Sequence, residues 1–369
     1  METKVKSIAR EEKIDTVSTT CNRNSSSVKN ETLWLLNVIR GFSAILIVLY
    51  HYTTQYNISI GHLKPYPVMI PWGCHAVYTF FILSGFLTMY SSYHKRDASK
   101  TFLVKRVIRL YPIFWICVLV TTLYMMLIMP ERVRTLQQII LNFTMVPALF
   151  RSEAVDGVYW TLSKELMFYV IYALAIKWGN IFKSKAWLWL WLAIGILGSF
   201  YCCGSIDFPA QSLVSFLFIP EYAFAFLAGC GIFYFYHEEN NVQRIKMIIF
   251  VLICIGYCAV LKTTEVTIFF IIMILLVGAC ANKHINEKFD FLKNVFLPIL
   301  FVSEISYPLY LTHQFIGFGI IRILESSDFV NEIYLCIPII HSIVLASILH
   351  FFVEIPIGKK CNSFFLKKH

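Results

Sequence analysis

The chain has 369 residues, 58% hydrophobic and 16% aromatic but only 15% charged, with a formal net charge of +10. A soluble domain carries about a quarter charged residues, so this composition excludes an ordinary soluble fold and requires much of the surface to face lipid. The basic residues find their explanation in membrane orientation, which leaves no reason to expect a nucleic-acid partner.

Residues 1–32 are polar and mixed in charge, with no short apolar core followed by a cleavage site, and read as a disordered cytoplasmic tail rather than a signal peptide. Runs long enough to cross a bilayer follow at 35–56, 69–93, 107–128, 157–178, 186–203, 212–236, 245–261, 265–281, 296–321 and 333–355. The stretch 133–150 is less apolar, ends near Pro147 and reads as interfacial or re-entrant. Residues 358–369 form a basic tail. With a cytoplasmic N-terminus, twenty-four of the 32 Lys and Arg fall in inner segments and six in outer loops. That bias predicts an all-α polytopic protein of about ten spans in the inner or plasma membrane, with both termini cytoplasmic. An extra crossing at 133–150 would invert every later loop and destroy the asymmetry.

The first span, LLNVIRGFSAILIVLYHYTTQY, carries Arg40 and His51. An ionisable residue in hydrocarbon costs at least a few kcal/mol without a partner or a wet cavity, so each is a functional candidate. Their spacing corresponds to about 16 Å of helix; they mark two depths of one path, not one compact site. The second span holds Ser84-Gly85, for which close helix packing is the simplest reading. The inner segment KRVIRLYPIFW sets Arg106 and Arg109 one turn apart, as lipid anchors or as paired donors for phosphate. The fourth span opens GVYWTLSKELMFY, whose Glu165 needs a partner or a proton, with Trp160 and Ser163 as candidate acceptor contacts. The ninth reads SEISYPLYLTHQF and places His313 in the outer half at a depth like that of His51, with Ser306 below it. Two histidines and a carboxylate at similar depth favour catalysis over a structural role, with His51 as general base and Glu165 or His313 orienting it or binding the sugar. Glu354 and Pro356 are expected to cap and end the last helix. The eleven cysteines show no metal-ligand spacing, so no metal is implied; Cys202–Cys203 is the one stretch of possible disulfide material.

In their order and form, Arg40 with His51, FFILSGF, RVIRLYP, WTLSKELMFY, ISYPLYLTH and FVEIP resemble the acyltransferase-3 family of integral-membrane O-acyltransferases over roughly residues 34–357. The resemblance implies an acyl-CoA donor, usually acetyl-CoA, and transfer to a hydroxyl of a carbohydrate or glycolipid. Arg40, Arg106 and Arg109 would hold the donor. Two positions depart from the family's habit: Tyr78 stands where an acidic residue is common, and Lys164 where a small or apolar one is. No hydrolase-like domain is expected after the spans. The alternatives are a polysaccharide exporter and a membrane sensor or scaffold.

Overall fold

The computed structural model describes residues 33–63, 68–93, 98–178, 184–202, 209–327 and 333–365. The expected N-terminal tail, Lys95, Arg96 and Cys203 lie outside the described residues. Within them the chain is helical, with no strand. The helices are α1 (Trp34–Tyr50), α2 (Tyr56–Ser59), α3 (Ala76–Tyr93), α4 (Ser99–Ile128), α5 (Leu136–Asn142), α6 (Trp160–Trp178), α7 (Ala186–Cys202) and α8 (Pro209–Phe218). They continue with α9 (Ala223–His237), α10 (Asn241–Leu261), α11 (Thr264–Ala281), α12 (Lys283–Lys288), α13 (Leu297–Glu304), α14 (Ser306–Ser326), α15 (Cys336–Leu349) and α16 (Ile355–Phe365). Each of the ten apolar runs falls on helix. Among the described residues, seven helical stretches are long and apolar enough to cross a membrane by themselves. The run at 133–150 holds the seven-residue α5, opened by a Thr135–Gln138 capping box, and a 3-10 turn at Pro147–Phe150, each far too short to span.

The middle of the bundle is α9, buried on every side from Ala223 to Tyr234, as a helix apolar all round must be. It packs against α3 and α10. A Cβ on Gly85 would overlap the Phe226 carbonyl, and one on Gly229 the Ile82 carbonyl, so two glycines let the α3 and α9 backbones touch. Aromatic rings fill the flanks, with Phe168 stacked 4.6 Å from Phe226.

Three helix irregularities position the site. The ninth run breaks at Ile305 into α13 and α14, because the ring of Pro308 would clash with the Glu304 carbonyl four residues earlier. The first run continues past Tyr50 as a π-helical turn, His51–Gln55, before α2 resumes; such wide turns favour functional positions. The last run contains a second π turn, His350–Glu354, and then continues as α16. Glu354 and Pro356 therefore do not end the helix as expected. Pro356 lies just past the wide turn, inside the continuing helix, where the proline ring removes one backbone donor, and Glu354 bonds the His350 ring at 2.7 Å.

Candidate functional site

Two cavities lie among α1, α3, α4, α6 and α14, and two residues, Val77 and Tyr310, line both. Tyr310 is held there by Thr161 Oγ1 at 2.8 Å and the Val158 carbonyl at 3.3 Å.

The first cavity collects Arg40 from α1, Ser84 and Thr88 from α3, Arg106 and Arg109 from α4, Glu165 and Tyr169 from α6, and Ser306 from α14. Glu165 Oε1 accepts from Ser84 Oγ at 2.8 Å and from Tyr169 OH at 2.5 Å. Arg106 lies over the Tyr169 ring, 4.7 Å from its centroid, and donates to Thr88 Oγ1 and Ser91 Oγ. Neither Arg40 nor Arg109 has a side-chain hydrogen bond or ion pair among the described residues. Three guanidinium groups thus face one carboxylate in a largely apolar chamber, an arrangement that attracts an anion with phosphate-like oxygens. The Ser306 hydroxyl is turned aside, donating to the Ser303 carbonyl at 2.7 Å.

The second cavity is lined by His51, Tyr50, Gln55, Cys74, Gly157, Trp160 and Gln314. His51 and His313 meet at its edge, His313 Nε2 lying 3.0 Å from His51 Nδ1. Their tautomers follow from their neighbours. His313 Nδ1 faces two carbonyls, Leu309 and Tyr310, each at 3.0 Å. Carbonyls only accept, so this nitrogen carries the proton, and Nε2 of the neutral ring is an acceptor. His51 Nδ1 lies between that acceptor and the Ile47 carbonyl at 2.9 Å, so it too is protonated. The lone pair of His51 is therefore on Nε2, which has no hydrogen-bond partner among the described residues. A second row fixes the pair: Tyr52 OH donates to the His313 carbonyl at 2.9 Å and touches Ser342 Oγ at 2.6 Å.

The expected site residues thus divide. Arg40, Arg106, Arg109, Glu165 and Ser306 share one cavity, and His51 and Trp160 the other, with His313 bonded to His51. Glu165 takes its hydrogen bonds from the arginine side instead of orienting His51, because Ser84 of the second run reaches it first. Ser163 lines neither cavity; its hydroxyl donates at 2.6 Å to the carbonyl of Met145, a residue at φ 66°. Sequence reasoning missed Asp156, Tyr310 and Gln314. Asp156 is wholly buried and accepts from the backbone N–H groups of Val158 and Phe315 at 3.2 and 3.1 Å, tying the segment before α6 to α14 beside His313.

Residues 34–353 match the acyltransferase domain of the acyltransferase-3 family. The chain belongs to this family. It is an all-helical, multi-pass membrane protein, with helices of the required length and apolarity among the described residues. The acyltransferase domain is also similar to the exopolysaccharide production protein ExoZ of Rhizobium meliloti (strain 1021), 28% identical over 122 residues, which are 31% of this chain and 36% of that protein. The chain thus covers about a third of that relative's length. No solved structure matches.

Proposed function

We propose that the protein transfers an acetyl group from acetyl-CoA to a hydroxyl of a surface or exported polysaccharide. The observation that carries this reading is the cationic cavity beside a histidine-lined one, with Val77 and Tyr310 lining both. The similarity to an exopolysaccharide production protein supports a glycan acceptor.

With both termini cytoplasmic, as the distribution of Lys and Arg argues, the arginine cavity opens toward the side on which acyl-CoA is made. Arg40, Arg106 and Arg109 hold the donor's phosphates, and the thin pantetheine arm passes between Val77 and Tyr310. His51 Nε2 takes the proton of the acceptor hydroxyl as its oxygen attacks the thioester carbonyl. The new ester C–O bond forms, the C–S bond breaks, and the proton passes to the departing thiolate. His313 Nε2 accepts from His51 Nδ1–H and so steadies the imidazolium, as the third group of a nucleophile–base array does.

The test is purified protein in lipid nanodiscs with radiolabelled acetyl-CoA and an envelope glycan fraction. Label is expected in the glycan, and His51→Ala should remove it. Replacing Arg106 and Arg109 together by Ala should raise the KM for acetyl-CoA about tenfold or more. Glycan crossing proteoliposomes without label would instead make the protein an exporter.

A further inference from the structure

The two cavities differ in charge as sharply as in position. The first presents three arginines and a glutamate. Among the described residues no Asp, Glu, Lys or Arg lines the second. Its polar surface consists of neutral groups: the His51 imidazole, the Tyr50–Gln55 pair joined at 2.6 Å, and the Gln314 carboxamide.

Gln314 stands apart from the rest. It is 6% exposed, its Oε1 is fully shielded without a partner, and neither end of the carboxamide makes a hydrogen bond among the described residues. Buried polar groups are nearly always hydrogen-bonded, and one left unpaired is destabilising. The backbone also yields room to this side chain. A Cβ on Gly157 would lie 2.5 Å from Gln314 Oε1 and 2.9 Å from Nε2, so only glycine leaves the amide in place. Trp160, 41% exposed, supplies a broad flat face to the same cavity. A carboxamide offers one donor edge and one acceptor edge side by side, which matches two adjacent hydroxyls on a ring.

We propose that the second cavity admits an uncharged pyranose residue of the acceptor, whose neighbouring hydroxyls are read by Gln314 while its apolar face lies on Trp160. The assignment rests on the transferase reading above and adds the class of sugar: neutral hexosyl units, not uronates. A carboxylate on the reacting ring would enter a pocket that, among the described residues, has no cation in its lining to meet it, a burial that general electrostatics penalises.

The experiment compares acceptors in nanodiscs with acetyl-CoA: an oligosaccharide of neutral hexoses, its linkage-matched glucuronate counterpart, and a set of monodeoxy analogues of the neutral one. The neutral acceptor is expected to have a kcat/KM at least tenfold above that of the glucuronate. One or two monodeoxy analogues should lose at least tenfold with the unaltered protein but less than twofold with Gln314→Met. Gln314→Asn, which withdraws the amide by one methylene, should lose the same discrimination if the Met variant does not fold. In both variants the ratio of acetyl transfer to acetyl-CoA hydrolysis should fall, which a general loss of folded protein cannot produce. Equal use of the glucuronate, or the same deoxy penalties with and without Gln314, overturns the assignment while leaving the transferase intact. Neither transfer nor hydrolysis by the unaltered protein removes the transferase reading and this one together.

Discussion

His51 can act as a base only if its lone pair is on the nitrogen that faces substrate, and that depends on what surrounds the opposite nitrogen. The Ile47 carbonyl, 2.9 Å from Nδ1, already assigns the proton there; His313 adds a neutral acceptor that holds the ring and welcomes the extra charge after proton transfer. Replacing His313 by Phe should therefore leave binding of acetyl-CoA intact and lower kcat by about 10²-fold, within the usual range for acid–base assistance. His313→Gln, which keeps an acceptor, should recover part of the loss; equal kcat for the two variants would show that shape alone is at stake. Asp156 acts on the same corner through the backbone. Burial pushes its carboxyl from the ordinary range up to about 7, against the hydrogen bonds from Val158, Phe315 and Gly157 that pull it down. A pKa raised in the folded state means that the fold retains this proton where the unfolded chain has lost it. The contribution to stability is thus full below about pH 4 and declines as pH rises to 7. Asp156→Asn should abolish that decline in detergent-solubilised protein. It should also cost about 1–3 kcal/mol, because an amide cannot accept from both N–H groups. Unfolding temperatures measured between pH 4 and 7 check both effects.

At the scale of elements, hydrophobic run length was enough to locate nearly every helix, since a bilayer demands internally satisfied backbone and tolerates little else. What run length does not encode is how a run bends. The break at Ile305 follows from Pro308 and was legible in principle; the π turn at His350 is followed closely by Pro356, but the one at His51 has no such mark. The first of them is anchored from outside the helix. His62 Nε2 lies 3.1 Å from the Thr53 carbonyl, and its Nδ1 is 2.8 Å from Glu325, which also accepts from Tyr56 at 3.0 Å and Tyr334 at 2.9 Å. Tyr334 OH also lies 3.0 Å from His62 Nδ1, so the imidazole, the carboxylate and two phenols form one hydrogen-bonded cluster. The side chains of His62 and Glu325 are 1% and 2% exposed, so their contact is shielded from solvent. Removing the shared acceptor of such a cluster leaves its buried partners without hydrogen bonds. Glu325→Ala should lower stability by about 1–3 kcal/mol for each buried group left unpaired and reduce transfer by loosening the turn that begins at His51. A thermal midpoint within a degree of the unaltered protein's would show that the cluster does not brace the turn.

Across the whole molecule, the residues of the site were readable as a set but not as partners. His51 and His313 are 262 positions apart, and only the packing of α1 against α14 brings their rings to 4.8 Å. Glu165 resembled a third member because depth along separate helices was the sole coordinate available, yet Ser84 and Tyr169 hold it among the arginines. Gln314 escaped notice because a neutral amide beside a histidine carries no charge signal; its meaning lies in a missing hydrogen bond, which needs coordinates to see. Separating a cationic chamber from a neutral one is useful only if each opens on its proper side, so the direction of the bundle in the membrane is itself part of the mechanism. The link between α9 and α10 contains the exposed Glu239, and the link between α10 and α11 is followed at once by the exposed Thr264. Cysteine introduced at each position, probed in intact cells with a membrane-impermeant maleimide over the native background, reports the two faces. Thr264→Cys is expected to label directly and Glu239→Cys only after lysis, in keeping with both termini in the cytoplasm. The reverse pattern would turn Arg106 and Arg109 toward the exterior, where no acyl-CoA is made, and the arginine cavity could no longer be the donor site.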